Sequence, residues 1–98
     1  MKITFVESVF EGMNDEFKNP TLPDGAAQWS RNEEGVLQGL IYICPCGCKE
    51  VSSVPVAPAL QGWGFNGHLE QPTLTPSIFK KGGCKWHGYL TDGEWRQV

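Results

Sequence analysis

The sequence has no apolar run long enough to cross a membrane or to form the core of a secretion signal. Its first hydrophobic residues, Ile3, Phe5 and Val6, are interrupted by Glu7. A membrane helix needs about 20 consecutive apolar residues, and a signal peptide needs an uninterrupted apolar segment. We therefore expect a cytoplasmic protein with no membrane partner.

Positive charge is also scarce. The chain has 8 Lys and Arg against 11 Asp and Glu, which gives a formal net charge of −3. Because nucleic-acid affinity comes largely from basic side chains that displace counterions from phosphates, nucleic acid is not the leading expectation as a partner. A zinc knuckle that binds single-stranded RNA through stacked aromatic rings stays open as an alternative.

The length of 98 residues lies near the lower limit at which a hydrophobic core alone holds a fold. The composition, 40% hydrophobic with four Trp and five Phe, is typical of a globular protein. We expect one domain over residues 1–98, with a variable amino-terminal part at 1–34 and a metal-binding part at 35–98. In so short a chain a metal cross-link would supply a large share of the stability.

The pattern of short apolar runs and turn residues predicts a mainly β fold, a small zinc-stabilised sheet domain with hairpins and little helix. Residues 11–34 are rich in polar and turn residues and predict a long loop with one helical turn at 15–18. The prolines of 71–77 predict an extended segment with few hydrogen bonds. Strands are predicted at 2–10, 36–43, 50–56 (an edge strand because of Pro55 and Pro58) and 60–67.

The carboxyl-terminal residues carry the clearest local signal. Asp92-Gly93 separates two apolar and aromatic runs, and this dipeptide favours a two-residue hairpin turn. The turn predicts that Thr91 pairs with Glu94 and that Leu90 lies opposite Trp95.

Cysteine is concentrated in two places. Cys44, Cys46 and Cys48 lie within five residues, and Cys84 begins a C-x-x-H motif that ends at His87. In a reducing compartment such thiols are metal ligands more often than disulfides. Zinc takes four ligands in a tetrahedron, commonly two from each of two tight turns, so the two motifs predict one zinc site.

Five candidate ligands compete for four positions. Cys84 and His87 are the strongest candidates. The sequence does not show which of Cys44, Cys46 and Cys48 is the one that does not bind the metal. The spare thiol could donate a hydrogen bond to a ligand sulfur. An all-protein shell leaves no open position for water, so the predicted role of the zinc is structural. The competing interpretation is that these residues are small buried core side chains.

The order and spacing of these motifs resemble a family of small proteins of unknown function found in phages and prophages, many of which carry the unsupported label of ammonia monooxygenase. The resemblance covers about residues 35–95. It implies zinc at the cysteine and C-x-x-H positions and a phage or prophage setting, but no reaction. Its pieces are Cys44-Pro45-Cys46-Gly47-Cys48, Gly62-Trp63-Gly64-Phe65-Asn66-Gly67, Gln71-Pro72-Thr73-Leu74-Thr75-Pro76-Ser77-Ile78, Cys84-Lys85-Trp86-His87 and Asp92-Gly93.

These observations favour a non-enzymatic phage or prophage accessory protein that binds another protein, for example a component of a host defence system. The chain has more large aromatic residues than a small core requires, and such residues are common in interfaces. The enzymatic alternative is a zinc-dependent hydrolase that uses His68, Glu70 or Ser77 near the metal. Because no known spacing supports it, we assign no catalytic residue and no cofactor besides zinc.

Overall fold

The computed structural model describes residues 1–59, 61–80 and 83–98. This part of the chain forms β-strands and turns without a helix, which confirms the mainly β prediction. No helix long and apolar enough to cross a membrane occurs within these ranges. The strands are β1 (Thr4–Phe5), β2 (Ala26–Arg31), β3 (Leu37–Ile43), β4 (Val51–Pro55), β5 (Gly64–Phe65), β6 (Leu74–Phe79), β7 (His87–Thr91) and β8 (Glu94–Gln97).

The strands form two four-stranded sheets. The first has the order β1-β2-β3-β4, with β1 parallel to β2 and the other pairs antiparallel. The second has the order β5-β6-β7-β8 and is antiparallel throughout. The amino terminus joins the second sheet, because the Ile3 N–H donates to the Gly93 carbonyl (2.8 Å) and the Trp95 N–H donates to the Met1 carbonyl (2.8 Å).

The main core lies between the two sheets. Alternate residues of β3 point inward, as the two-residue period of a strand requires, and they meet inward residues of the second sheet. Burial of each such side chain contributes about 1.5–3 kcal/mol. The buried cluster contains Leu40, Tyr42 and Val54 from the first sheet and Leu74, Ile78, Leu90 and Trp95 from the second.

The hairpin of β7 and β8 has the predicted register, with Thr91 opposite Glu94 and Leu90 opposite Trp95. Asp92 and Gly93 both have positive φ, 49° and 75°. A two-residue turn of type I′ requires this conformation at both positions, which is why the Asp-Gly dipeptide could locate the hairpin.

The amino-terminal prediction was wrong in three respects. The strand predicted at 2–10 is reduced to β1, residues 15–18 form a turn and no helical turn, and β2 lies inside the predicted loop. The signal for β2 is weak because Ala26 and Ala27 are small. They are nevertheless fully buried, since β3 supplies the partner strand and the core contacts.

The segment 71–77 is extended from Leu74 onward, as predicted, but it belongs to β6, which is an interior strand of the second sheet. Between Leu74 and Ile78 the register with β7 shifts, so that four steps along β6 correspond to only two steps along β7. This bulge accommodates Pro76, since prolines within sheets are confined to bulges and edges. The prediction that β4 is an edge strand is confirmed. Leu60, in the strand predicted at 60–67, lies outside the described residues.

Trp95 is the residue whose loss should damage the core most. Its ring is 4.9 Å from that of Tyr42 and 5.8 Å from that of Trp86, and its indole N–H donates to the Gly25 carbonyl. We expect Trp95→Ala to lower the free energy of unfolding by about 3–5 kcal/mol, measured by urea denaturation. Tyr89→Ala is the matched control, because Tyr89 lies on the same hairpin and is 47% exposed. A loss below about 1 kcal/mol for Trp95→Ala would contradict this role.

Candidate functional site

Four cysteine sulfurs meet where the end of β3 approaches the turn before β7. The Sγ atoms of Cys44, Cys46, Cys48 and Cys84 all lie within 4.8 Å of one another. Cys44 Sγ is 3.3 Å from Cys46 Sγ and 3.4 Å from Cys84 Sγ. A zinc ion bound by four thiolates at about 2.3 Å would set the sulfurs about 3.8 Å apart. The cluster therefore fits a single tetrahedral metal ion.

One buried lysine neighbours this cluster. Lys80 Nζ lies 3.6 Å from Cys84 Sγ and 3.0 Å from Glu50 Oε1, and its side chain is only 8% exposed. Burial alone would lower the pKa of Lys80, but the hydrogen bond to the Glu50 carboxylate raises it, so the ammonium keeps its charge. A cation at this place partly offsets the negative charge of four thiolates.

The turn that carries Cys84 lies directly against the Glu50 carboxylate of this ion pair. Gly83 has φ of 60°, and a Cβ at this position would lie 2.6 Å from Glu50 Oε2. A side chain there would have to displace the carboxylate that pairs with Lys80. The glycine thus fixes the path of the chain into the metal cluster.

The thiols of the metal-free cluster differ in acidity. Burial raises the pKa of Cys44 and of Cys46. For Cys84 burial also opposes ionisation, but hydrogen bonds from Cys46 and from the Trp86 backbone lower its pKa to about 6. Cys84 therefore ionises more readily than Cys44 and Cys46, which must lose protons when a metal ion binds.

Metal affinity should consequently fall as the pH decreases. Zinc binds the thiolate, so each ligand whose pKa is above the ambient pH releases a proton on binding. Between pH 8.5 and 6.5 we expect the apparent affinity to decrease at least tenfold, measured by competition with a chromophoric chelator. An affinity that does not change with pH would contradict thiolate ligation.

A serine and a histidine meet on the adjoining strands β6 and β7. His87 Nε2 lies 3.0 Å from Ser77 Oγ. Phe79 is the register partner of His87, and Ser77, two residues earlier, shares the same face of β6. Diagonal neighbours on antiparallel strands are within side-chain reach, and the bulge that ends before Ile78 adjusts the direction of Ser77.

The surroundings hold this pair in place. The Phe79 ring packs on the imidazole with centroids 5.1 Å apart, and the Trp63 indole N–H donates to the Ser77 carbonyl at 3.3 Å. Ser77 and His87 are both half-buried, so solvent and a ligand can reach them. Among the described residues, no carboxylate forms a hydrogen bond or ion pair with the His87 ring.

The sequence prediction located the cysteines but missed the serine–histidine contact. The structure brings all four cysteines together, while His87, predicted as a ligand, contacts Ser77 with its Nε2. His68 and Glu70 are exposed and belong to neither cluster. One signal was available in the sequence: four cysteines are enough for a tetrahedral site, so His87 was not required as a ligand.

Comparison with known proteins identifies one family. The family model described as "Bacterial ubiquitination-like system serine protease (BubE)" matches residues 13–98. This description names a bacterial system and does not include the phage or prophage setting expected from the resemblance. No curated protein and no solved structure matches the chain.

Proposed function

Because this chain belongs to the BubE family, we propose that it is a serine peptidase of a bacterial ubiquitination-like system, with Ser77 as nucleophile and His87 as general base. The observation that carries the proposal is the 3.0 Å separation of Ser77 Oγ and His87 Nε2. A hydroxyl nucleophile is weak unless a base within hydrogen-bond reach takes its proton. The family description supplies the class of reaction, that of a serine protease, and the geometry supplies a serine hydroxyl beside a base.

The reaction follows from this contact. With the ring proton on Nδ1, His87 Nε2 accepts the hydroxyl proton while Ser77 Oγ attacks the carbonyl carbon of the substrate. The C–N bond breaks, the amine leaves with the proton returned by His87, and an ester on Ser77 remains. Water then attacks this ester and loses a proton to His87, which returns it to Ser77 Oγ as the ester bond breaks and the product carboxylic acid leaves. Packing against the Phe79 ring orients the His87 imidazole. In many serine enzymes a carboxylate that accepts a hydrogen bond from the imidazole has this role.

The cysteine cluster has a separate role in this proposal. We propose that it binds one zinc ion, which cross-links the chain at residues 44–48 to the turn between β6 and β7. Cys84 stands three residues before His87, and Lys80, next to Cys84, stands three residues after Ser77. The bound ion would therefore fix the two strands that present the catalytic pair. Four sulfur ligands leave no position for a reactive water.

The substrate is a protein of the same system. By analogy with ubiquitination, such a system joins the carboxyl-terminal end of a modifier protein to an amino group. This inference comes from analogy and not from the site itself. We propose that the scissile bond lies at that end of the modifier, as a peptide or isopeptide bond. A reducing cytoplasm fits a site that needs free thiols.

Hydrolysis of p-nitrophenyl acetate tests the proposal without knowledge of the natural substrate. Attack by Ser77 should release nitrophenolate with an acetylated chain as intermediate, detected by intact mass as one added acetyl group. We expect Ser77→Ala to remove both the acetyl group and the enzymatic rate. Equal hydrolysis by the native protein and by Ser77→Ala would refute the proposal.

A further inference from the structure

A groove of about 410 Å³ lies between the outer edge of β4 and strand β6. It belongs to both sheets, because β4 closes the first sheet and β6 is an interior strand of the second. Ser77 lies immediately before Ile78, which lines the groove, and the Trp63 indole that lines it also bonds to the Ser77 carbonyl. The lining also includes Glu50, Ser53, Phe79 and Lys80.

The edge of β4 has an unpaired backbone position in this groove. The Val51 N–H donates outward to the Phe17 carbonyl (2.8 Å), and the Pro55 carbonyl accepts from the Trp63 N–H (2.8 Å). Because outward-facing residues alternate in an antiparallel strand, the N–H and C=O of Ser53 also point away from β3. Ser53 is exposed, and no group of the described residues hydrogen-bonds its backbone.

The opposite wall offers a second unpaired position. The Lys80 N–H donates to the Trp86 carbonyl (2.9 Å), so by the same alternation the N–H and C=O of Phe79 point away from β7. Within the described ranges these groups have no hydrogen-bond partner either, and Phe79 is 54% exposed. An extended chain carries N–H and C=O groups on both of its sides. Each wall therefore offers one unpaired backbone position to an extended chain.

The two faces of the β4 edge provide places for side chains. On the core side lies the groove already described, where the only charged residues are the paired Glu50 and Lys80. On the other side a second groove of about 310 Å³ also reaches Ser53 and has a largely apolar lining, formed by Phe10, Met13, Phe17, Ile41, Val51 and Ser52. Successive side chains of an added strand would enter the two grooves alternately.

We propose that the substrate binds as a short extended strand that pairs with β4 at the unpaired edge position of Ser53, with alternate apolar or small side chains in the two grooves. This inference rests on the proposed peptidase function. Two residues that line the first groove contact the proposed catalytic pair, because the Trp63 indole N–H donates to the Ser77 carbonyl and the Phe79 ring packs on His87. This adjacency favours the substrate over other occupants of the groove. A second copy of this chain, paired edge to edge, is the competing occupant.

A proline substitution tests the backbone contact. Ser53→Pro removes the outward N–H, and an edge strand tolerates proline where its N–H faces away from the sheet. Ser53→Ala is the matched variant that keeps the N–H. The substrate is the internally quenched peptide that the native protein cleaves fastest in a positional-scanning library. The readout is its kcat/KM divided by that for p-nitrophenyl acetate, which is too small to span the groove. We expect this ratio to fall at least tenfold in Ser53→Pro, mainly because KM for the peptide increases. In Ser53→Ala the ratio should equal that of the native protein.

Each other outcome overturns the inference. A ratio in Ser53→Pro within twofold of the native value would exclude strand addition at Ser53, provided that thermal melting shows a folded variant. Native mass spectrometry that detects a dimer abolished by Ser53→Pro, with the ratio unchanged, would assign the edge to a second copy. Ester hydrolysis at Ser77 without cleavage of any library peptide would defeat the groove inference alone. Absence of both reactions would defeat the peptidase proposal together with it.

Discussion

Replacing Ser77 by alanine is expected to lower kcat for peptide hydrolysis by about 10³-fold or more. The substitution removes the only atom that forms the acyl intermediate in the proposed reaction, and loss of a serine nucleophile has effects of this size in other enzymes. The hydroxyl is half-buried and bonded to His87, so the change leaves the packing of the core nearly intact. Steady-state kinetics with the fastest library peptide would measure the loss.

Replacement of His87, alone and together with Ser77, tests whether the two residues act as one unit. Residues that act as one unit have strongly non-additive effects, so His87→Gln and the double variant with Ser77→Ala should both be about as slow as Ser77→Ala alone. Ser30→Ala is the matched control, since it removes a strand hydroxyl in β2 far along the chain from the pair. A Ser77→Ala protein with more than a tenth of the native kcat would contradict the assignment of the nucleophile.

Loss of the metal is expected to have the largest effect on stability. Cys44 is fully buried, and its sulfur lies within 3.4 Å of those of Cys46 and Cys84, so its replacement by serine removes a ligand from the interior of the cluster. Metal binding in such sites is realised only in the folded state. We expect Cys44→Ser to reduce the free energy of unfolding by at least about 3 kcal/mol, which corresponds to a decrease in Tm of about 12 °C or more.

Removal of the metal by a chelator separates the contribution of the ion to stability from that of the Cys44 side chain. Treatment of the native protein with a strong chelator should produce a similar decrease in Tm, and added zinc should reverse it for the native chain but not for Cys44→Ser. The proposed peptidase activity should fall in parallel, because in this proposal the bound ion fixes the turn that connects β6 to β7. Unchanged cooperative melting after the metal has been removed would contradict a structural ion.

Local chemistry explains which parts of the fold the sequence could predict. The hairpin at Asp92 and Gly93 was predictable because the required positive φ at both positions belongs to the turn residues themselves. Strand β2 was not, since its small alanines become buried only when β3 lies beside them. Strand β6 was not predictable, because Pro76 argues against an interior strand. The bulge that accommodates this proline depends on pairing with β7, which the local sequence does not determine.

The candidate site also has one part that the sequence could predict and one part that it could not. The cysteine cluster was predictable from spacing, because three thiols within five residues and a fourth at a distant turn are typical of a metal site. The contact between Ser77 and His87 depends on the register across the bulge between Leu74 and Ile78, which no local pattern determines. His87 was assigned to the metal from the C-x-x-H motif, and only the geometry reveals that its Nε2 contacts a hydroxyl.

Peptide mapping after reaction with diisopropyl fluorophosphate tests the catalytic pair most directly. The reagent phosphorylates a serine that a neighbouring base has activated. We expect one diisopropylphosphoryl group per zinc-loaded chain, located on Ser77 and absent from His87→Gln. An adduct on any other residue, or an unmodified Ser77 in protein that still cleaves peptides, would contradict it.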